Sequence, residues 1–262
     1  MIYIIGGRGY VGSGFARYCR ARGLPHQVIT RENYDEFAGT SCDVLVNANG
    51  NSRKYLADRD PLAEFDQSVR SVAVSLSAFK AASYVLISTG DVYDDPSSPA
   101  TSGENREPDL ARMSRYGLHK LLAEQLVMGA HPDWLVVRAG GFVGPGIKKN
   151  AVFDILTGAK IWLSPASELQ FIHTDHAAEI IMGVVETSGA GRQIVNLGGQ
   201  GTVNLGELRA VVGSSGTFDP AAPTVRYELS LKKLAALSPV AIPQSRDEVR
   251  SFAAAWPQAA AE

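Results

Sequence analysis

Cysteine is scarce in this sequence. Only two of 262 residues are cysteines, Cys19 and Cys42, too few for a disulfide framework and not spaced to ligate a metal. Buried, reduced thiols are expected, with no metal site. Net charge is small as well: 25 Lys+Arg against 27 Asp+Glu leave −2. No polyanion-binding surface is advertised, so nucleic acid is not expected as a partner. No apolar run approaches the ~20 residues of a membrane span. Met1 runs straight into strand-like residues without the basic preface of a signal peptide. A soluble, cytoplasmic protein without a membrane partner is expected. Repeats are lacking, and the one biased segment is the Ala-rich tail, expected to fray. The 45% apolar content suffices for one large domain or a domain with a smaller lobe.

What is present starts at once. Ile2-Tyr3-Ile4-Ile5 runs into Gly6-Gly7-Arg8-Gly9-Tyr10-Val11-Gly12, and the helical residues Phe15, Ala16 and Cys19 follow. This is a strand–turn–helix pattern. Of Gly6, Gly9 and Gly12, one can adopt unusual turn angles, one admits a ligand to the main chain, and one lets helix pack on strand. The helix N-terminus above such a turn suits a pyrophosphate.

Arg22-Gly23-Leu24-Pro25 stops the helix, and His26–Thr30 reads as a second strand. In a dinucleotide fold that strand ends near the adenosine ribose. Thr30 there leaves room for a 2′-phosphate that Arg31 and Arg8 could neutralise, which favours NADP over NAD. Glu32 is a rival acidic candidate if the register slips. Asp43–Gly50 reads as a strand entering a loop, with little room for a further strand before it. Asp66–Ala82 shows helical spacing, Tyr84–Thr89 is a buried strand, and Pro96–Pro108 is a surface loop. Arg115–Met128 is helical, Trp134–Arg138 a strand, Val152–Leu156 a short helix. Gln170–Asp175 leads into a helix from His176 to Val185, and Gln193–Leu197 is the last clear strand. A final helix opens on a capping box, Ser245 with Glu248. His173 and His176 suit a helix start rather than a metal. The alternation predicts an α/β fold: a Rossmann-type doubly wound parallel sheet with a small C-terminal substrate lobe. The division expected is 1–140 with 170–200 for the dinucleotide half, and 141–169 with 201–262 for the lobe.

Tyr116 and Lys120 lie one helical turn apart. A phenol ionises near pH ~10, and a neighbouring ammonium, with an oxidised nicotinamide nearby, favours the phenolate. Thr89, at the end of the preceding strand, can orient a substrate oxygen. In one order, Gly6-x-x-Gly9-x-x-Gly12, Ser88-Thr89 with Val92-Tyr93, Tyr116-x-x-x-Lys120, Arg138 with Gly144-Pro145-Gly146, and Phe171-Ile172-His173-Thr174-Asp175 resemble the extended short-chain dehydrogenase/reductases, the NAD(P)-dependent epimerase/dehydratase family. The resemblance runs from residue 1 to about residue 210. It implies a Thr89–Tyr116–Lys120 triad and a cofactor site adding Asn47, Ala48, Asn49 and Ser88. It also implies a sugar or nucleotide-sugar-like small-molecule substrate, and a homodimer joined through the Tyr–Lys helix.

Departures fall mainly on the substrate side. Asn47 stands where the family usually has His, Ser68 where it has Asn, Gly141 where it has a substrate-touching Asn, and Leu169 where it has a phosphate-binding Arg. Lys148, Lys149, Asn150 or Arg226 could replace the missing contacts, which makes Gly141, Asn150 and Arg226 candidate substrate residues beside Asp91. The dehydratases of the family tend to carry Asp-Glu after the Thr; here Gly90-Asp91 follows, with Asp91 either a base or a loop cap. The expectation is an NAD(P)-dependent reductase or epimerase. The alternatives are an NAD-dependent dehydratase using Asp91, or a non-catalytic dinucleotide-binding sensor.

Overall fold

A computed structural model describes residues 1–51 and 54–256; the Ala-rich tail beyond Trp256 lies outside the described residues. Five parallel strands come first in the chain: β1 (Ile2–Ile5), β2 (His26–Ile29), β3 (Ser41–Asn47), β4 (Lys80–Thr89) and β5 (Trp134–Ala139). With Gln193–Leu197 they form one six-stranded sheet, order β2-β1-β3-β4-β5 and then the Gln193–Leu197 strand. The chain passes from β2 across β1 to β3 with only the Tyr34–Phe37 turn of helix between, so no extra strand fits there. The strand order reverses between β1 and β3, and ligands bind beyond the carboxyl ends of strands at such a point.

Period-2 alternation in β1 sorts the core. Ile2 and Ile4 join Phe15, Leu135 and Ile180 beneath the Gly12–Ala21 and Thr174–Ser188 helices. Tyr3 and Ile5 join Leu45, Tyr84 and Val127 beneath the Ser71–Ala78 and Arg115–Ala130 helices. A third apolar cluster, including Ile155, Ile161, Leu205 and Phe252, accompanies a small sheet built from Glu168–Leu169, Val203–Asn204 and Arg226–Tyr227.

Four local expectations are corrected. The Asp66–Ala82 helix ends at Ala78, and β4 starts at Lys80, because Phe79 turns extended (φ −119°) and buries its ring beside Val72 and Tyr84. Its beginning is a turn of π-helix, Asp66–Arg70. The Pro96–Pro108 loop is not wholly superficial: Ser102 is fully buried, and its one hydroxyl proton is shared between the Ser98 (2.8 Å) and Glu228 (3.2 Å) carbonyls while its oxygen accepts from Ser230 N–H. The helix expected from His176 starts at Thr174, with His173 Nδ1 accepting from Asp175 N–H at 3.2 Å. Ser245 and Glu248 do not form a capping box. The last helix, Ser245–Ala254, has Gln244 at its N-cap without a side-chain bond. Ser245 Oγ instead bridges Phe171 N–H (3.1 Å) and O (3.0 Å), and Glu248 accepts from His173 N–H (2.5 Å) and faces His176 Nδ1 (2.8 Å). Tertiary pairing has taken both side chains from the local cap.

The Glu248 bond raises the pKa of His176 above the ordinary imidazole value, outweighing partial burial. A raised folded-state pKa gives stability that is fully present below the unfolded value, ~6.5, and that fades as pH rises through the folded one. The ring is half-exposed, so the contribution is screened. His176→Gln is therefore expected to lose slightly more melting temperature at about pH 5.5 than at about pH 8, relative to wild type. Equal losses at both would disprove the linkage.

Candidate active site

The first glycine turn is folded against itself. Gly6 sits at φ +75°, Gly9 N–H donates to Gly6 O at 2.7 Å, and a Cβ on Gly12 would lie 2.2 Å from that oxygen. Only a hydrogen fits at residue 12, so helix Gly12–Ala21 can start directly over the β1 end. No side chain caps it, and the positive end of its dipole borders a cavity. That cavity holds about 1030 Å³, the upper range for small-molecule sites. Arg8, Gly9, Tyr10 and Val11 line one side; Thr89, Tyr116 and Lys120 line another. The Tyr10 hydroxyl is buried without a partner among the described residues. An uncapped helix N-terminus bordering the cavity, with an unpaired buried Tyr10 hydroxyl in its lining, fits the pyrophosphate end of a dinucleotide.

The adenosine end differs from expectation. β2 ends at Ile29 in the expected register, Ile5 opposite Ile29. Thr30 turns inward on Asn33, whose Oδ1 accepts from its N–H (2.7 Å) and its hydroxyl (3.3 Å). Neither Thr30 nor Arg31 lines the cavity, whereas Arg8 does. Glu32 comes within 4.0 Å of Arg8 without any slip of register, so acid and base share the rim.

Asn47 is buried and shapes the loop above β3: Nδ2 donates to Tyr84 Oη (2.8 Å) and Ser75 Oγ (3.2 Å), and Oδ1 accepts from Asn49 N–H (3.0 Å). Ala48 and Asn49 reach the cavity; Asn47 does not. Ser88 reaches it, while its hydroxyl donates to Glu124 at 2.5 Å. Glu124 in turn holds Arg138 in a fully buried ion pair, Nη2 to Oε2 2.7 Å. Ser68 donates to Glu64, a buried carboxylate that also contacts His119.

Ser114 starts the Tyr–Lys helix, its Oγ accepting from Gly117 N–H at 3.0 Å. A Cβ on Gly117 would lie 2.2 Å from Asp91 O, so glycine lets this helix touch the turn after β4. Tyr116 and Lys120 are both buried. Lys120 Nζ donates to Ile87 O at 3.0 Å, and burial lowers its pKa against the pull of Glu124 and Glu64. Burial, then the Asp91 and Glu64 carboxylates, hold the Tyr116 hydroxyl well above the usual phenol value. The expected downward pull of Lys120 is not what governs Tyr116 here. The site holds a protonated phenol, the form that gives a proton away.

Of the substrate candidates, Asp91, Gly141 and Asn150 line the cavity, as do Lys148 and Leu169. Both ends of the Asn150 amide are engaged: Oδ1 caps the Ala151–Thr157 helix through Phe153 N–H (2.9 Å), and Nδ2 donates to Phe142 O (2.9 Å). Arg226 is not brought to the cavity, because Glu168 and Glu228 (2.7 Å) hold its guanidinium outside. Two residues that sequence reasoning missed are present instead. Lys54 pairs with Asp91 (Nζ to Oδ2 2.6 Å), and the Tyr227 side chain enters from the small sheet. Neither belongs to a local motif; only their chain-distant partners reveal them.

The model of the NAD dependent epimerase/dehydratase family matches residues 2–198. No curated protein matches. Among solved structures, a UDP-galactose 4-epimerase superposes at TM-score 0.79 with 19% identity, covering 98% of both chains. RMD from Pseudomonas aeruginosa, complexed with NADPH, gives 0.78 at 16% identity over 98% of this chain and 99% of that one. The UDP-glucose 4-epimerase of Thermus thermophilus, in complex with NAD, gives 0.73 at 18% over 98% of each. These likenesses concern the fold. The family match spans three quarters of the sequence and includes the glycine turn, Thr89, Tyr116 and Lys120: the chain belongs to the NAD dependent epimerase/dehydratase family.

Proposed function

We propose that the protein is an NAD(P)-dependent oxidoreductase that reduces or epimerises a keto/hydroxyl centre on a sugar or nucleotide-sugar-like substrate. The observation that carries this is one cavity shared by the glycine turn and by Thr89, Tyr116 and Lys120. The turn residues Gly9, Tyr10 and Val11 would hold the pyrophosphate, with Gly6 and Gly12 shaping the cradle. Ala48, Asn49 and Ser88 would flank the dinucleotide, and Lys120 would hold the nicotinamide ribose. Bound there, a nicotinamide supplies or accepts a hydride. Tyr116, kept protonated by burial, serves as the proton donor, and Thr89 shapes the substrate-oxygen pocket. Structures of similar fold that are named as UDP-sugar epimerases support the substrate class.

Asp91 is poorly placed to be the base of a dehydratase, since Lys54 and the Thr89 hydroxyl already hold its carboxylate. A non-catalytic sensor has no use for a buried Tyr–Lys pair beside the cofactor cradle. Homodimerisation is supported by exposed apolar side chains on neighbouring helices, Leu62 and Phe65 on Pro61–Phe65, Leu122 and Leu126 on Arg115–Ala130. A cytoplasmic setting suits the reduced, buried thiols of Cys19 and Cys42. No helix among the described residues is long and apolar enough to cross a membrane.

NADP is proposed over NAD because Arg8 lines the cavity rim, and Arg8 and Arg31 both act electrostatically on Glu32. Calorimetry with NADPH and NADH tests this. NADPH is expected to bind about tenfold tighter, as one charge-assisted contact allows, and Arg8→Ala should narrow the gap. Tighter NADH binding would instead give the ribose to Glu32. Binding of neither dinucleotide would remove the proposed function itself.

A further inference from the structure

Five cations line the cavity, Arg8, Lys54, Lys120, Lys148 and Lys149, and among the described residues one carboxylate does, Asp91. The backbone sets where Asp91 stands. Its turn, Gly90–Val92, lies at the tip of β4, and Asp91 O approaches the Tyr–Lys helix so closely that only glycine fits at residue 117. Asp91 therefore packs beside the residue that follows Tyr116, and its charge acts on that phenol. The Asp91 side chain is 15% exposed, and its partner Lys54 is 61% exposed.

Lys54 reaches across from the segment after β3, with Nζ 2.8 Å from Asp91 Oδ1 and 2.6 Å from Oδ2. The Tyr227 ring lies 5.7 Å from the same nitrogen, which attracts the cation without using one of its hydrogens. An ammonium has three N–H donors and a carboxylate about four acceptor sites. Two of the Lys54 donors go to Asp91, and one is left. Among the described residues Oδ1 accepts from Lys54 alone, so it keeps a site whichever way the Thr89 hydroxyl, 2.9 Å from Oδ2, is turned. A spare donor and a spare acceptor thus stand side by side in the cavity wall near Tyr116. An ion pair with so exposed a cation adds little to stability, so the fold alone does not account for it.

We propose that the Lys54–Asp91 pair reads sugar hydroxyls and selects a neutral sugar over a carboxylated one. The inference rests on the oxidoreductase reading above and narrows its substrate class. A hydroxyl is both donor and acceptor. Two neighbouring hydroxyls on a sugar ring can therefore meet the pair together, one donating to Asp91 Oδ1 and the other accepting from Lys54. The carboxylate of a uronate is carried on the same small ring as the reacting centre. It would meet a cation that Asp91 already neutralises, beside a like charge. Such a juxtaposition rejects a rival while costing the neutral sugar nothing.

Two near-isosteric changes separate charge reading from packing. Protein loaded with NADPH or NADH, so that no sugar hydroxyl is oxidised, is titrated calorimetrically with UDP, UDP-glucose and UDP-glucuronate. The wild type is expected to bind UDP-glucose about tenfold tighter than UDP-glucuronate. Lys54→Met leaves Asp91 alone in the wall: UDP-glucose should bind about fivefold more weakly, and the preference against UDP-glucuronate should widen. Asp91→Asn leaves Lys54 unpaired, and the preference should shrink or reverse. UDP, which carries no sugar beyond its nucleoside, should bind all three proteins alike. Opposite shifts of the glucose-to-glucuronate ratio support the pair as the reader. A ratio that stays put, or that moves the same way in both variants, overturns the inference, as does a wild type that prefers UDP-glucuronate. Should Asp91→Asn fail to fold, Lys54→Met decides by itself, since its residue is exposed and an unmoved ratio there is enough to overturn the proposal. Wild-type protein that binds a dinucleotide but none of the three UDP ligands removes the nucleotide-sugar reading, and this inference with it.

Discussion

Tyr116→Phe is expected to lower kcat by about 10²- to 10⁴-fold, the range typical of a lost general acid, with dinucleotide affinity nearly unchanged. Tyr116 sits in the cavity next to the Thr89–Val92 turn, held there by the close approach of Gly117 to Asp91 O. Phenylalanine keeps the ring and its packing and removes only the transferable proton. The sign of the pH dependence follows from the electrostatics. Burial and two carboxylates raise the Tyr116 pKa, so the donor form persists through the neutral range. The reductive rate should therefore stay flat across about pH 6 to 9 and fall only above it. Initial rates of NADPH oxidation with a turned-over sugar substrate check this. A variant within about threefold of wild type would move the proton donor elsewhere in the cavity.

Glu124→Ala should be the most damaging single change to stability. Glu124 is fully buried, and Arg138 is nearly so at 3% side-chain exposure. Arg138 Nε reaches both carboxylate oxygens (3.3 and 3.2 Å), Nη2 reaches one (2.7 Å), and Ser88 donates to the other. The guanidinium also stacks over the Tyr93 ring at 4.9 Å. Truncating the acid leaves a buried cation without its counter-charge, a loss of about 3–5 kcal/mol. For a chain of this size that lowers the melting temperature by about 10 °C. Glu124→Leu combined with Arg138→Met should recover much of it, because a well-packed apolar pair often replaces a buried ion pair at little cost. If Glu124→Ala melts within about 2 °C of wild type, water must reach Arg138 in the folded state.

What was legible in the sequence was whatever is built from neighbours along the chain. Gly6, Gly9 and Gly12 could be read because strand, turn and helix N-terminus are one local unit. Tyr116 and Lys120 could be read because i and i+4 share a helix face. Ser245 and Glu248 show the limit: the same spacing that caps a helix also reaches across to Phe171 and His173, and burial of those backbone groups decided the matter. Phe79 ended a helix whose apolar spacing continued past it, because its ring gains more by joining the Val72–Tyr84 cluster. Thr30 was expected to face the ribose; its N–H and hydroxyl meet the Asn33 side chain three residues on, and Glu32 also bonds its side chain. Tyr227 and Lys54 carried no signal at all, since their meaning lies in Gly90 and Asp91, which the fold alone brings near.

The cavity joins segments that lie far apart along the chain. Arg8 through Val11 line one side and Trp256, beyond the helix stapled to Phe171, lines another. During synthesis the sheet strands emerge in sequence, but the wall bearing Tyr227, the Ser245 staple and Trp256 leaves the ribosome after all of them. Such long-range closure is slow to nucleate. A nascent chain stalled short of residue 245 would lack the Trp256 wall of the cavity and leave the Phe171 strand without its Ser245 backbone partner.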